Sequence, residues 1–153
     1  MLFRSTYRQR GRLEEAEELS VRVLEISKRV LGEEHPDTLT SMGDLAVTYC
    51  QRGRLEEAEG LDVRVLELRK RVLGQEHPNT LTNMGNLAFV YRQRGRLEEA
   101  EELEVRVLEI RKRVLGAEHP DTLTAMNDLA WTWKDLGRHQ DARELLSIYP
   151  GRY

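Results

Sequence analysis

Residues 54–95 read RLEEAEGLDVRVLELRKRVLGQEHPNTLTNMGNLAFVYRQRG, and this block decides the fold. Leu55, Ala58, Leu61, Val65, Leu68 and Val72 step by three or four residues, which sets them along one face of an α-helix. Val63, Leu66 and Leu73 widen that face on one side, so the helix can touch two neighbours at once. The pattern needs about 19 residues and predicts a helix roughly 30 Å long. Gly74 supplies a left-handed stop, and Pro78 keeps the helix from continuing. Pro78 also suits the first position of a second helix, where a missing N–H costs nothing. Leu81, Met84, Leu87, Ala88 and Tyr91 form the buried stripe of that helix, and Gly95 ends it. The link to the next helix is so short that neighbours must run antiparallel.

The block recurs on both sides. Gly11, Gly53, Gly95 and Gly137 stand 42 residues apart, and His35-Pro36, His77-Pro78 and His119-Pro120 keep the same period. Cutting after each glycine gives three full units, 12–53, 54–95 and 96–137. The first and third units agree at 32 of 42 positions and the first and second at 31, which rules out coincidence. Residues 1–11 read as the end of an earlier unit, because Tyr7-Arg8-Gln9-Arg10-Gly11 repeats as Tyr91-Arg92-Gln93-Arg94-Gly95. Residues 138–153 begin another unit and then depart from it. The whole of 1–153 reads as one solenoid domain, all-α, in which each helix pair packs only on its neighbours.

Charge supports the same organisation. The long helix of the third unit opens with Glu98, Glu99, Glu101 and Glu102 and closes with Arg111, Lys112 and Arg113, an order that complements the helix dipole. Glu102–Arg106 and Glu109–Arg113 add i,i+4 pairs in the better orientation. The formal net charge of −3 gives no electrostatic reason to expect nucleic acid or an acidic membrane as partner. A lone cysteine, Cys50, cannot form an intramolecular disulfide and points to a reducing compartment. The N-terminus lacks a secretory signal pattern, and no apolar run is long enough to span a bilayer, so a soluble cytoplasmic protein is expected.

Leu45-Ala46-Val47-Thr48-Tyr49, followed by Ala58 on the next helix, resembles the tetratricopeptide signature. Arg-Leu-Glu-Glu-Ala-Glu, Arg-Val-Leu-Gly and Glu-His-Pro-[Asp/Asn]-Thr-Leu, at a period of 42, resemble the kinesin-light-chain type of that repeat. The resemblance covers nearly the whole chain. It implies a right-handed superhelical solenoid of antiparallel helix pairs, with the first helix of each pair lining a concave surface that binds proteins or peptides. Similar near-identical arrays occur in fungal and bacterial nucleotide-binding signalling ATPases, where they are the recognition region. Two departures stand out. Ser20, Asp62 and Glu104 occupy the position of the family's large aromatic on the second helix, four residues after the signature alanine. Gly43-Asp44, Gly85-Asn86 and Asn127-Asp128 occupy the positions of its paired asparagines, so binding through an asparagine ladder is not expected.

The exposed face of each first helix is where the units differ most. Val47, Phe89 and Trp131 share one repeat position and Cys50, Arg92 and Lys134 another, with Gln51 and Gln93 beside them. Buried positions are constrained by packing, whereas a binding face is free to vary. Aromatics beside cations supply most binding hot spots, so these eight residues are the candidate peptide-binding strip. His35, His77 and His119 share one repeat position, but adjacent helices lie 8–10 Å apart and cannot share an ion. They are expected at helix entrances, with no metal. The clusters Lys28-Arg29, Arg69-Lys70-Arg71 and Arg111-Lys112-Arg113 read as solvated helix ends. No phosphate-binding loop or nucleophile–histidine pattern occurs, and the glutamates read as exposed, so no enzymatic activity and no cofactor are expected. A second class of function rests on the ends. The stub at 1–10, with Phe3 and Tyr7 at the Leu45 and Tyr49 positions, is too short to cover Leu13, Ala16, Leu19, Val23, Ile26 and Val30. At the other end, Pro150-Gly151 soon ends the last helix. Self-association through the terminal helices is the alternative expectation.

Overall fold

In the computed structural model, which describes the backbone of residues 2–148 and the side chains of residues 10–148, the described chain forms seven α-helices and no strand. They are α1 (Leu2–Leu31), α2 (Pro36–Gln51), α3 (Leu55–Leu73), α4 (Pro78–Gln93), α5 (Leu97–Leu115), α6 (Pro120–Asp135) and α7 (His139–Ser147). Two turn devices alternate. At the first, the proline of each His-Pro pair opens α2, α4 and α6, and the preceding imidazole caps the helix. Nδ1 of His35, His77 and His119 accepts from the backbone N–H of Asp37, Asn79 and Asp121 at 3.1, 3.0 and 3.0 Å. The histidines therefore satisfy an orphan amide of the first turn, a role usually filled by Ser, Thr, Asp or Asn.

At the second device, Gly53, Gly95 and Gly137 adopt φ of 77°, 78° and 83°, which only glycine enters without strain. The next residue then donates its backbone N–H back to the aromatic residue of the helix just ended. Arg54 bonds Tyr49 O at 2.8 Å, Arg96 bonds Tyr91 O at 2.8 Å and Arg138 bonds Trp133 O at 2.7 Å. The same arginines lie over those rings, at 4.6, 4.5 and 4.7 Å from guanidinium carbon to ring centroid.

The stub at 1–11 does not turn at its glycine. α1 runs unbroken through Gly11 to Leu31, so the end of the earlier unit and the first long helix are one rod. A glycine inside a helix loses about 1 kcal/mol relative to alanine. Continuing as helix keeps the i to i−4 backbone hydrogen bonds around Gly11 that a turn there would break. The expected roles of the Phe3 and Tyr7 side chains, and the helix stop at Pro150-Gly151, lie outside the described residues.

The chain divides into two compact units, residues 1–83 and 84–153, rather than around one centre. A repeat array has no central core, because each pair touches only its neighbours. In the first unit α1 packs on α2 and α2 on α3. Leu24, Leu39, Met42, Leu45, Val65 and Leu68 form its buried cluster, with Val21, Tyr49 and Leu61 half-buried against it. In the second unit α5 packs on α6 and α6 on α7, burying Val107, Leu108, Ile110, Met126, Leu129 and Leu145.

Not all of the predicted stripe is buried. Leu61 is only half-buried, and Val30, Val72 and Val114 are exposed. α3 and α5 have 19 residues against 16 in α2 and α6, so their last turn overhangs the shorter helices. No helix among the described residues is long and apolar enough to cross a membrane.

Leu68→Ala should cost roughly 2–5 kcal/mol of stability, and Val72→Ala about 0.5 kcal/mol or less. Urea unfolding followed by circular dichroism separates the two. Equal losses would contradict the packing described.

Candidate functional site

The face of α2 away from the core carries Val47, 46% exposed, with Gln51 exposed and Cys50 half-buried beside it. In the second unit the equivalent faces of α4 and α6 carry Phe89, 45% exposed, and Trp131, 56% exposed, with Gln93 and Lys134 also open to solvent. Lys134 Nζ stands 4.8 Å from the Trp131 ring centroid, within range of a cation–π contact. Seven of the eight strip residues are thus at least partly open.

Arg92 is the exception. Its side chain is only 17% exposed and turns inward. Nη1 donates to the backbone oxygen of Asp128 at 3.2 Å and to Thr132 Oγ1 at 3.3 Å, and lies 3.7 Å from Glu104 Oε2. Its guanidinium carbon lies over the Phe89 ring, 5.6 Å from the centroid, within cation–π range. Arg92 ties α4, α5 and α6 together and is not free to meet a partner. The reason lies under it: Glu104 is buried, and a buried carboxylate demands a cation.

Trp131 and Lys134 also wall a cleft of about 500 Å³ between α6 and α7. Asn127 and Ala130 complete the α6 side, and His139, Ala142, Arg143 and Leu146 line the α7 side. The second tryptophan has a different role. Trp133 Nε1 donates to Glu101 Oε2 at 2.8 Å, and Arg138 Nη1 meets the same oxygen at 2.7 Å, so this ring is held within the repeat packing.

The basic clusters are partly committed to structure. Arg69 donates to the backbone oxygen of Asn79 and to the Asn83 side chain, and Arg111 donates to the backbone oxygen of Asp121 at 3.2 Å. Each closes the last turn of a long helix onto the first turn of the next. Among the described residues, no group of three or more metal-ligating side chains comes together.

Not every acidic group is exposed, contrary to expectation. Asp62 is 2% exposed and Glu104 5% exposed. Glu104 accepts from Thr132 Oγ1 and faces Arg92, whereas Asp62 Oδ1 has no hydrogen-bond partner among the described residues. Their spacing contained the signal. Ala58–Asp62–Val65 and Ala100–Glu104–Val107 step by four and three, so both acids stand within a buried stripe. Burial pushes the Asp62 carboxyl from its ordinary 3.8 up to about 7. Burial likewise pushes Glu104 from 4.5 up to about 7, against the opposing pull of Thr132 and Arg92.

With this geometry in place, similarity to known proteins is informative. The tetratricopeptide repeat family matches residues 5–62, 45–112 and 86–147. A crystal structure of nearly identical, kinesin-light-chain TPR-like repeats from Podosopora anserina is 35% identical, with a TM-score of 0.84 over 94% of this chain and 68% of that one. A single-substitution variant of that protein gives the same values. BtubC (BKLC) from P. vanneervenii is 24% identical, with a TM-score of 0.79 over 96% of this chain and 61% of that one, a likeness of fold. Among curated proteins no sequence matches significantly. The fold is a TPR-like helical solenoid.

The buried acids make stability depend on pH in a stated direction. Both folded-state pKa values are raised, so the folded chain holds protons that the unfolded chain releases. The contribution of these two carboxyls is undiminished below about pH 4, falls between about 4 and 7, and levels off above that. Asp62→Asn should leave stability unchanged at pH 4 and raise it at pH 8 by up to about 4 kcal/mol. Urea midpoints at the two pH values measure this, and an equal effect at both would contradict an uncompensated carboxyl.

Proposed function

Because the chain belongs to the tetratricopeptide repeat family, we propose that it is a protein–protein interaction scaffold that takes a peptide or protein segment on the exposed face of the first helix of each pair. The carrying observation is Trp131, a large ring 56% exposed beneath the Lys134 ammonium and on the wall of a 500 Å³ cleft. An aromatic anchor beside a cation and an apolar recess has the composition of a binding hot spot. Phe89, with Arg92 over its ring, offers a second anchor in the same unit. Val47 and Gln51 are the corresponding contacts of the first unit, and Gln93 and Lys134 extend the second.

Along the first helix of each pair, the exposed position of Val47, Phe89 and Trp131 differs among the units while the buried Leu45, Leu87 and Leu129 do not, which suits recognition of one particular segment. The chain acts by binding, without catalysis or cofactor, as the recognition region of a larger cytoplasmic signalling protein. Trp131→Ala or Phe89→Ala should weaken partner binding by roughly 1–4 kcal/mol with little change in circular dichroism. If Phe89→Ala destabilises the fold as much as Leu87→Ala does, Phe89 belongs to the core and this reading fails.

A second reading has its own observation. Leu19, Val23, Ile26 and Val30 form an exposed apolar row along α1. In α3 the equivalent Leu61, Val65 and Leu68 pack against the α2 residues Leu39, Met42 and Leu45. Burying one such side chain is worth about 1.5–3 kcal/mol, so pairing of α1 with α1 of a second copy is favoured. Light scattering at rising concentration should show a dimer that Val23→Glu/Ile26→Glu abolishes. A monomer throughout would remove the self-association reading.

A further inference from the structure

Arg92 and Glu104 form a matched pair, and the repeat makes the match testable by comparison. One repeat later the two positions hold Lys134 and Leu146: a cation with no acid beneath it, and Lys134 stays out in solvent over Trp131. One repeat earlier they hold Cys50 and Asp62: an acid with no cation. The inward turn of Arg92 follows from the acid below it, so the Cys50–Asp62 position is the one with an acid and an unmet demand.

Three observations describe that position. Asp62 is 2% exposed, and its Oδ1 has no hydrogen-bond partner among the described residues. Cys50 stands beside it, close enough that the Asp62 charge acts with burial to push the thiol pKa up. Cys50 is itself half-buried, on the exposed side of α2 with Val47 and Gln51. A cysteine side chain ends at its first atom beyond Cβ, where an arginine continues for three more bonds to a guanidinium. It leaves the acid without the group that Glu104 has, and burial with no cation beside it favours the protonated carboxyl.

We propose that the Cys50 position is a receptor for an arginine side chain supplied from outside the chain. A bound peptide laid along the exposed face of α2 would insert its guanidinium beside Cys50 and pair it with Asp62, as Arg92 pairs with Glu104. This rests on the reading that a protein segment binds that face, and it adds the chemistry of one required residue: an arginine, flanked by side chains that suit Val47 and Gln51. Pairing in a desolvated site would gain from both charge and the planar donor fork. The same position discriminates against a neutral or acidic residue, because that residue would leave Asp62 unmet or face it with like charge.

The test uses the intact chain with carboxyl-labelled aspartate and two small probes, N-acetylarginine amide and its neutral counterpart N-acetylcitrulline amide, at matched ionic strength, with the Asp62 carboxyl ¹³C signal followed across pH. The expected result is a saturable fall of the Asp62 titration midpoint with the arginine probe and none with citrulline. Cys50→Arg should show the lowered midpoint without any probe and no further response. An Asp62 midpoint unmoved by arginine, moved equally by citrulline, or unchanged in a folded Cys50→Arg variant would overturn the proposal.

If Cys50→Arg does not fold, modifying Cys50 in the folded protein with an aminoethyl thiosulfonate adds an ammonium in place. It should raise Tm where the uncharged methyl reagent does not, and equal effects would overturn the proposal. The wider groove reading is judged separately. A fall of the Asp62 midpoint with the arginine probe, alongside full partner binding by Trp131→Ala, would support the receptor and remove Trp131 as anchor.

Discussion

The structure depends on one backbone hydrogen bond made three times. After each turn glycine, an arginine N–H returns to the carbonyl of the aromatic residue five positions back, at 2.8, 2.8 and 2.7 Å. That bond reverses the chain within three residues and lays the next long helix against the helix just finished. The arginine side chain then covers the aromatic ring, so the turn and the packing beside it form together. Gly11 shows what happens when the bond is absent. With Tyr7-Arg8-Gln9-Arg10-Gly11-Arg12 identical in sequence to the turn at Tyr91–Arg96, the chain continues as helix. The same six residues support either a turn or continuous helix, so the turn needs more than its own sequence.

Given that turn, the remaining features sort by what packing demands. His-Pro caps, positive-φ glycines and the Leu, Met and Ala stripes serve neighbour-to-neighbour contact and scarcely vary. The residues that vary include the exposed Val47, Phe89 and Trp131, the buried Asn83 and Ala125, and the paired positions Cys50/Asp62, Arg92/Glu104 and Lys134/Leu146. In the second pair the cation and acid satisfy each other within the fold.

Much of this was legible in the sequence. The period of 42 residues, the two helices per unit and the His-Pro and glycine boundaries follow from spacing alone. So does the exposure of Val47, Phe89 and Trp131, which lie on the side of the helix away from the Met and Leu stripe. Three features were not. The inward course of Arg92 depends on a buried acid contributed by another helix, which the spacing of α4 cannot reveal. Glu104 read as exposed with the other glutamates because acids are rarely buried, although the three-and-four spacing of Asp62 and Glu104 placed both in the stripe. The continuous rod of α1 was not legible because the same six residues form a turn at Tyr91–Arg96 and helix at Tyr7–Arg12.

The central claim is that Trp131 faces a partner while Trp133, two residues away, faces the fold. The chain has only these two tryptophans, so 5-fluorotryptophan labelling yields two assignable ¹⁹F signals. On titration with a bound protein or peptide partner, the Trp131 signal should move to saturation. The Trp133 signal, held by Glu101 and Arg138, should stay in place. Saturable binding that shifts Trp133 and leaves Trp131 unmoved would contradict the account.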